Sequence, residues 1–178
     1  RRAAAGSSAC ATWQVWNLTS FAAILFMDSD VAVLRNVDHL LERMLARPVI
    51  GELKTPQGCL NEGGASGAPN TGVWAVRPSA VVFNTLMSWM HWSMIDCNVG
   101  LQDVHQAFFS RLPPRAKAKF GVFEQVALPV KYNMKAGDWA RCLSKLNFTA
   151  DEVFITHWSG KRKPRRGLYP NQHPTQRR

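Results

Sequence analysis

The sequence predicts an α/β fold with a mostly parallel sheet and flanking helices, on three observations. Short apolar runs alternate with longer amphipathic stretches, the order in which a chain lays down strands and crossover helices. With 178 residues, 46% hydrophobic content and seven tryptophans, the chain is long and apolar enough to bury one core. The body is also nearly neutral. Arg1, Arg2, Lys161, Arg162, Lys163, Arg165, Arg166, Arg177 and Arg178 hold nine of the 22 basic charges, leaving residues 3–160 with 13 basic against 12 acidic residues. A net charge of +10 spread over the surface would indicate nucleic acid or an acidic membrane; here it is an end effect.

The elements follow in order. AAILFM, residues 22–27, reads as a strand buried on both faces, and VAVL, 31–34, resumes it after Asp28-Ser29-Asp30. In 36–46, Val37, Leu40, Leu41, Met44 and Leu45 recur at helical spacing. RPVIGEL, 47–53, reads as a strand, and NEGGASGAPN, 61–70, as a Gly-rich loop. TGVWAV, 71–76, is a strand ended by Arg77-Pro78, after which Ser79 is placed to cap the helix AVVFNTLMSWMHW. A further helix is expected over 101–111, because Val104, Ala107 and Phe108 share a face, and Pro113-Pro114 stops it. VALPV, EVFITHW and a basic, Pro-rich tail complete the chain.

Cys10, Cys59, Cys97 and Cys142 show no CxxC spacing, so buried free thiols are expected rather than a zinc knuckle or a dense disulfide framework. No apolar run approaches the roughly 18 residues of a membrane span. RRAAAGSSACA lacks a continuous apolar region and makes a poor signal peptide.

In an extended segment, residues i and i+2 point to one side, so Asp28 and Asp30 can converge on one point. Two carboxylates that close repel unless water solvates them or a cation joins them. A solvated turn and a metal site both remain open at this level. His157, at the end of the alternating segment before it, is the natural third ligand, although a lone His is also an ordinary core residue. Carboxylate oxygens suit a hard ion such as Mg²⁺, and one imidazole tilts the preference toward Mn²⁺. Beyond His157, Gly160 permits close backbone approach, and Lys161, Arg162 and Lys163 supply the positive charge a diphosphate needs. The same basic run also reads as a solvated tail or a polyanion-binding patch. GGASGAPNTG lacks the Gly-Lys-Ser/Thr ending of a P-loop and opens no helix.

Three blocks in this order resemble glycosyltransferase family eight, the glycogenin-like enzymes. WNLTSFAAILFMDSDVAVLRNVDHLL, 16–41, is similar to the family's Trp-x-Leu-Thr…Asp-x-Asp…Asn-Ile/Val-Asp block. PNTGVWAVRPSAVVFNTL, 69–86, resembles its Asn-Ser-Gly-Val…Pro-Ser segment, and HWSGKRKP, 157–164, matches His-x-x-Gly-x-x-Lys-Pro. LPVKYNMK, 128–135, resembles a Leu-Pro…Tyr-Asn step. The likeness covers residues 11–167.

The resemblance implies a GT-A nucleotide-diphospho-sugar transferase fold and a retaining hexosyltransferase that uses a UDP-sugar with Mn²⁺ or Mg²⁺. It implies Asp28, Asp30 and His157 as metal ligands. Asn70, Thr71, Gly72, Gly160 and Lys163 would then bind substrate, and Gln102 and Asp103 would serve as catalytic residues. The family's Asp-Gln appears here as Leu101-Gln102-Asp103. The family's nucleoside-binding βαβ region would precede residue 1. The expectation is therefore an N-terminally incomplete catalytic domain over 11–167, with flexible ends at 1–10 and 168–178. Expected partners are the UDP-sugar donor, a carbohydrate, lipid or protein acceptor and a second copy as a candidate homodimer, with no nucleic acid. A basic-tailed polyanion-binding protein or an inactive glycosyltransferase-like protein is the alternative. Golgi or other secretory compartments and the cytoplasm both stay open, since Asn17-Leu18-Thr19 and Asn147-Phe148-Thr149 are sequons that also arise by chance.

Overall fold

The computed structural model describes residues 8–46, 52–55, 70–95, 104, 107–109 and 125–158. The strands are β1 (Ile24–Met27), β2 (Val31–Val33), β3 (Glu52–Thr55), β4 (Asn70–Val76), β5 (Gln125–Ala127), β6 (Met134–Lys135) and β7 (Ile155–His157). The helices are α1 (Ser8–Trp13), α2 (Asp38–Leu45), α3 (Ala80–Trp92) and α4 (Trp139–Leu146), and residues 104 and 107–109 are also helical.

The α/β class is as expected; among the described strands three pairings are antiparallel and two parallel, where a mostly parallel sheet was expected. One sheet has the order β1-β4-β3-β5, with β4 antiparallel to β1 and β3, and β5 parallel to β3. The second has the order β2-β7-β6, antiparallel then parallel. A continuous apolar run marks burial on both faces, and β4 is buried in that way while antiparallel to both neighbours, so the run does not specify direction. The two halves of FMDSDVAVL therefore belong to different sheets, and the acidic pair lies where the chain crosses between them.

β4 is the spine, buried from Thr71 to Val76. Its side chains alternate between two cores, as strand geometry requires. Trp74 and Val76 pack with Trp13, Trp16, Leu86 and Phe108, while Ala75 faces Leu40, Met44, Leu128 and Tyr132. Helices thus cover both faces. α3 buries Val82, Leu86 and Met90 along one stripe, and the Ser79 side chain accepts from the Val82 amide at 3.4 Å, fulfilling the predicted cap.

Of the strand expected at 47–53, residues 47–51 lie outside the described residues, and the described strand is Glu52–Thr55. Within VALPV, 126–130, β5 stops at Ala127, and Val130–Tyr132 forms a 3-10 turn whose preceding residue is Pro129. Proline has no N–H to extend a ladder. Helix α4 was not anticipated. It packs Cys142, Leu143 and Leu146 against Val130, Met134 and Val153 in a third core. Cys142 is buried but disulfide-bonded, which corrects the expectation of free thiols, and no described cysteine is free. No described helix is long and apolar enough to cross a membrane.

Candidate metal centre

Asp28, Ser29 and Asp30 form a turn rather than the extended segment that the spacing alone suggests. Backbone bonds pin both ends of the turn. The Asp28 amide donates to the Gly72 carbonyl of β4 at 2.9 Å, and the Trp158 amide donates to the Asp30 carbonyl at 2.9 Å. A third bond, Val31 N–H to the Asp28 carbonyl at 3.3 Å, closes the turn. The carboxylates therefore converge because each is tied to a different sheet.

His157 is the last residue of β7 and pairs in register with Val31. Thr156 before it is buried and held from two sides: its hydroxyl accepts from the Trp139 indole at 3.1 Å and donates to the Met134 carbonyl at 3.1 Å. The unanticipated helix α4 thus helps to fix the strand that delivers the histidine.

The donor atoms of Asp28, Asp30 and His157 all lie within 4.8 Å of one another. His157 Nε2 is 3.3 Å from Asp30 Oδ1 and 3.9 Å from Asp28 Oδ2. Two ligands of one ion, each roughly 2.0–2.2 Å from it, stand no more than about 4.4 Å apart. The two distances from His157 Nε2, 3.3 and 3.9 Å, fit a shared cation. The His157 side chain is only 5% exposed, Asp30 15% and Asp28 41%, so the group opens to solvent on the Asp28 side. Burial pushes the His157 pKa below its usual value, and the Asp28 charge pulls it back only in part. The neutral imidazole is the form that coordinates a metal, and close approaches of neutral His157 to the carboxylates are not salt bridges.

β4 enters the site by its amino-terminal end, because it runs antiparallel to β1. Asn70, at its start, accepts through Oδ1 from the Gly72 amide at 2.8 Å and from Asn133 Nδ2 at 3.0 Å. Asn133 is 3% exposed, and its Oδ1 lies 2.8 Å from His157 Nδ1. A Cβ on Gly72 would overlap the His157 ring and stand 2.8 Å from Asn70 Oδ1. Glycine is required there by space.

Of the predicted site residues, the structure brings together Asp28, Asp30 and His157, with Asn70 and Gly72 beside them. Thr71 is 7% exposed in β4. Gln102, Asp103, Gly160 and Lys163 lie outside the described residues. Asn133 was missed as a site residue. Its only signal was its place in the Tyr-Asn step.

Neither the known family models nor the curated proteins contain a match to this sequence. Solved structures do match by shape. A glycosyltransferase, GlyE, of Streptococcus pneumoniae TIGR4 aligns with a TM-score of 0.55 and 16% identity, over 86% of this chain and 38% of that one. The galactosyltransferase LgtC, solved with donor and acceptor sugar analogues, aligns with a TM-score of 0.56 and 14% identity, over 88% of this chain and 60% of that one. A glycosyltransferase involved in glycosylation of the major capsid of PBCV-1 aligns with a TM-score of 0.53 and 15% identity, over 86% and 69%. The chain thus spans 38% of the GlyE chain and 60% of the LgtC chain. At these identities the likeness concerns fold. The chain has an α/β fold of the GT-A type.

Proposed function

We propose that this chain carries the metal and diphosphate end of a retaining hexosyltransferase of the family-eight kind. The observation that carries the reading is the convergence of Asp28, Asp30 and His157 within 4.8 Å at the junction of two sheets in a GT-A fold.

Asp28, Asp30 and His157 hold Mn²⁺ or Mg²⁺, the two oxygens and one imidazole nitrogen favouring Mn²⁺. When bound, the ion neutralises charge that grows on the departing diphosphate. Gly160 lets backbone approach that diphosphate, and Lys163 adds a positive charge to it. Asn70, Thr71 and Gly72 bind the donor sugar, and the catalytic role is assigned to Gln102 and Asp103. The bond from the anomeric carbon to the diphosphate oxygen breaks as a bond to an acceptor hydroxyl oxygen forms on the same face. The hydroxyl proton leaves on the diphosphate oxygen. The donor is a UDP-sugar and the acceptor a carbohydrate, lipid or protein.

A donor screen tests the reading. UDP-glucose, UDP-galactose, UDP-xylose and UDP-glucuronate are each incubated with the protein and Mn²⁺, and UDP release is followed. The expected result is release from one donor that stops on chelation. Release no faster than from Asp30→Ala with every donor would contradict it.

A further inference from the structure

The hydrogen-bond chain behind the metal centre starts from a group whose chemistry is not ambiguous. A backbone N–H only donates, so the Asn70 atom facing the Gly72 amide at 2.8 Å is the carbonyl oxygen Oδ1. That same oxygen meets one end of the Asn133 amide at 3.0 Å. An oxygen needs a donor opposite it, so this end is Asn133 Nδ2. The other end, Asn133 Oδ1, is thereby turned toward His157 Nδ1 at 2.8 Å. An amide oxygen only accepts, so Nδ1 carries the proton. In a neutral imidazole the second nitrogen is then an unprotonated lone pair. That nitrogen, Nε2, is the one 3.3 Å from Asp30 Oδ1 and 3.9 Å from Asp28 Oδ2.

We infer that Asn70 and Asn133 are positioning residues that hold His157 as its Nδ1–H tautomer, so that Nε2 is the atom presented to a cation at the Asp28–Asp30 pair. The inference deepens the metal-site reading above and rests on it for its function. The hydrogen-bond order itself stands apart from any ion. With Nε2 unprotonated, no hydrogen lies between it and Asp30, and two lone-pair-bearing atoms face each other across 3.3 Å. Their mutual repulsion is relieved by a cation between them. The opposite tautomer would place a proton there, bond His157 to Asp30 and occupy the nitrogen that a metal needs.

Neither asparagine needs to touch substrate for this role. Asn133 lies 24 residues from His157 in sequence and 63 from Asn70, so three separate segments converge to set one proton. Gly72 completes the arrangement. Its amide starts the chain, and its lack of a Cβ gives the ring room beside Asn70. A partner on the far nitrogen of a ligating histidine fixes ring orientation and tautomer, and its loss typically lowers metal affinity about 10- to 100-fold.

The test is nitrogen-15 NMR of the histidine side chains in the metal-free full chain, with the His157 signals assigned by comparison with His157→Gln. Spectra are taken in mildly alkaline solution, where an ordinary imidazole is neutral. The expected pattern is a protonated Nδ1 and an unprotonated Nε2. Asn133→Leu, which removes the acceptor, is expected to release the ring to a mixture of tautomers. Asn133→Asp keeps an acceptor at that place and is expected to retain the Nδ1–H form. Asn70→Ala removes the acceptor opposite Asn133 Nδ2, and is expected to shift the ring toward the mixture even if Asn133→Leu does not fold. A wild-type ring protonated on Nε2 would overturn the inference, as would a tautomer unchanged in folded Asn70→Ala.

Mn²⁺ titration of the same samples separates this result from the reading it rests on. Mn²⁺ affinity about 10- to 100-fold weaker in Asn133→Leu or Asn70→Ala, restored in part by Asn133→Asp, supports the positioning role. Failure of the wild type to bind Mn²⁺ while Nδ1 stays protonated would overturn the metal-site reading and the positioning role, leaving only the hydrogen-bond order.

Discussion

At the scale of residues, the site is a small number of atoms held by larger constraints. Asp28 and Asp30 are bonded through their backbones to opposite sheets, so neither can swing away without breaking a strand connection. Gly72 is the most confined position beside them. Gly72→Ala is expected to displace the His157 ring and weaken Mn²⁺ binding, while the strand itself tolerates alanine because its backbone is extended. Calorimetric titration with Mn²⁺ checks this, and unaltered affinity would show that the ring has another place to go. The acidic pair and His157 were legible in sequence because their chemistry is carried by residue type and by a motif. Asn133 was not, because amides are common and its partners lie far along the chain. The i, i+2 argument named the right pair for an incomplete reason: a pinned turn, not strand alternation, brings the carboxylates together.

At the scale of elements, α3 shows what local signals specify well. Ser79 supplies the cap and Val82, Leu86 and Met90 supply one buried stripe. Leu86→Ala is expected to cost about 2–5 kcal/mol, as core truncations of leucine do, and Ser79→Ala about 1 kcal/mol, both readable by urea denaturation. A capping box follows α4. Thr149 and Glu152 bond each other's backbone amides reciprocally at the 3-10 turn before β7. Hydrogen bonds from Thr149, first its amide and then its side chain, hold the Glu152 carboxyl below its usual pKa. The unfolded chain therefore binds this proton more readily, and the ionised Glu152 adds stability above the ordinary glutamate pKa that is lost as pH falls through the depressed folded value. The difference in Tm between wild type and Glu152→Ala is expected to be full at neutral pH and to shrink in acid. A difference constant across that range would contradict the assignment. Helix α4 escaped notice because a single fully buried residue, Cys142, marks its inward face, where α2 has Leu40 and Met44. Strand direction escaped for a deeper reason: burial on both faces looks the same whichever way a strand runs.

At the scale of the whole molecule, the two described sheets are joined at one acidic turn. The α/β class followed from the alternation of elements, whereas the split into two sheets follows from tertiary pairing that a single strand pattern does not encode. The disulfide at Cys142 bears on where such a chain folds, because disulfides persist in oxidising compartments. We propose a secretory location on that ground. Reduction is expected to lower stability by about 2–4 kcal/mol, seen as a fall in Tm with dithiothreitol, and immunolocalisation of the native protein to the cytosol would overturn the location. The central claim remains the joining of an acidic pair and a histidine into a cation site for a nucleotide diphosphate. Calorimetric titration of UDP with and without Mn²⁺, in wild type and Asp30→Ala, tests it most directly. The account predicts that Mn²⁺ tightens UDP binding by about tenfold or more, some ~1.4 kcal/mol, and that Asp30→Ala abolishes the gain. UDP binding indifferent to Mn²⁺, or a gain that survives Asp30→Ala, would contradict it.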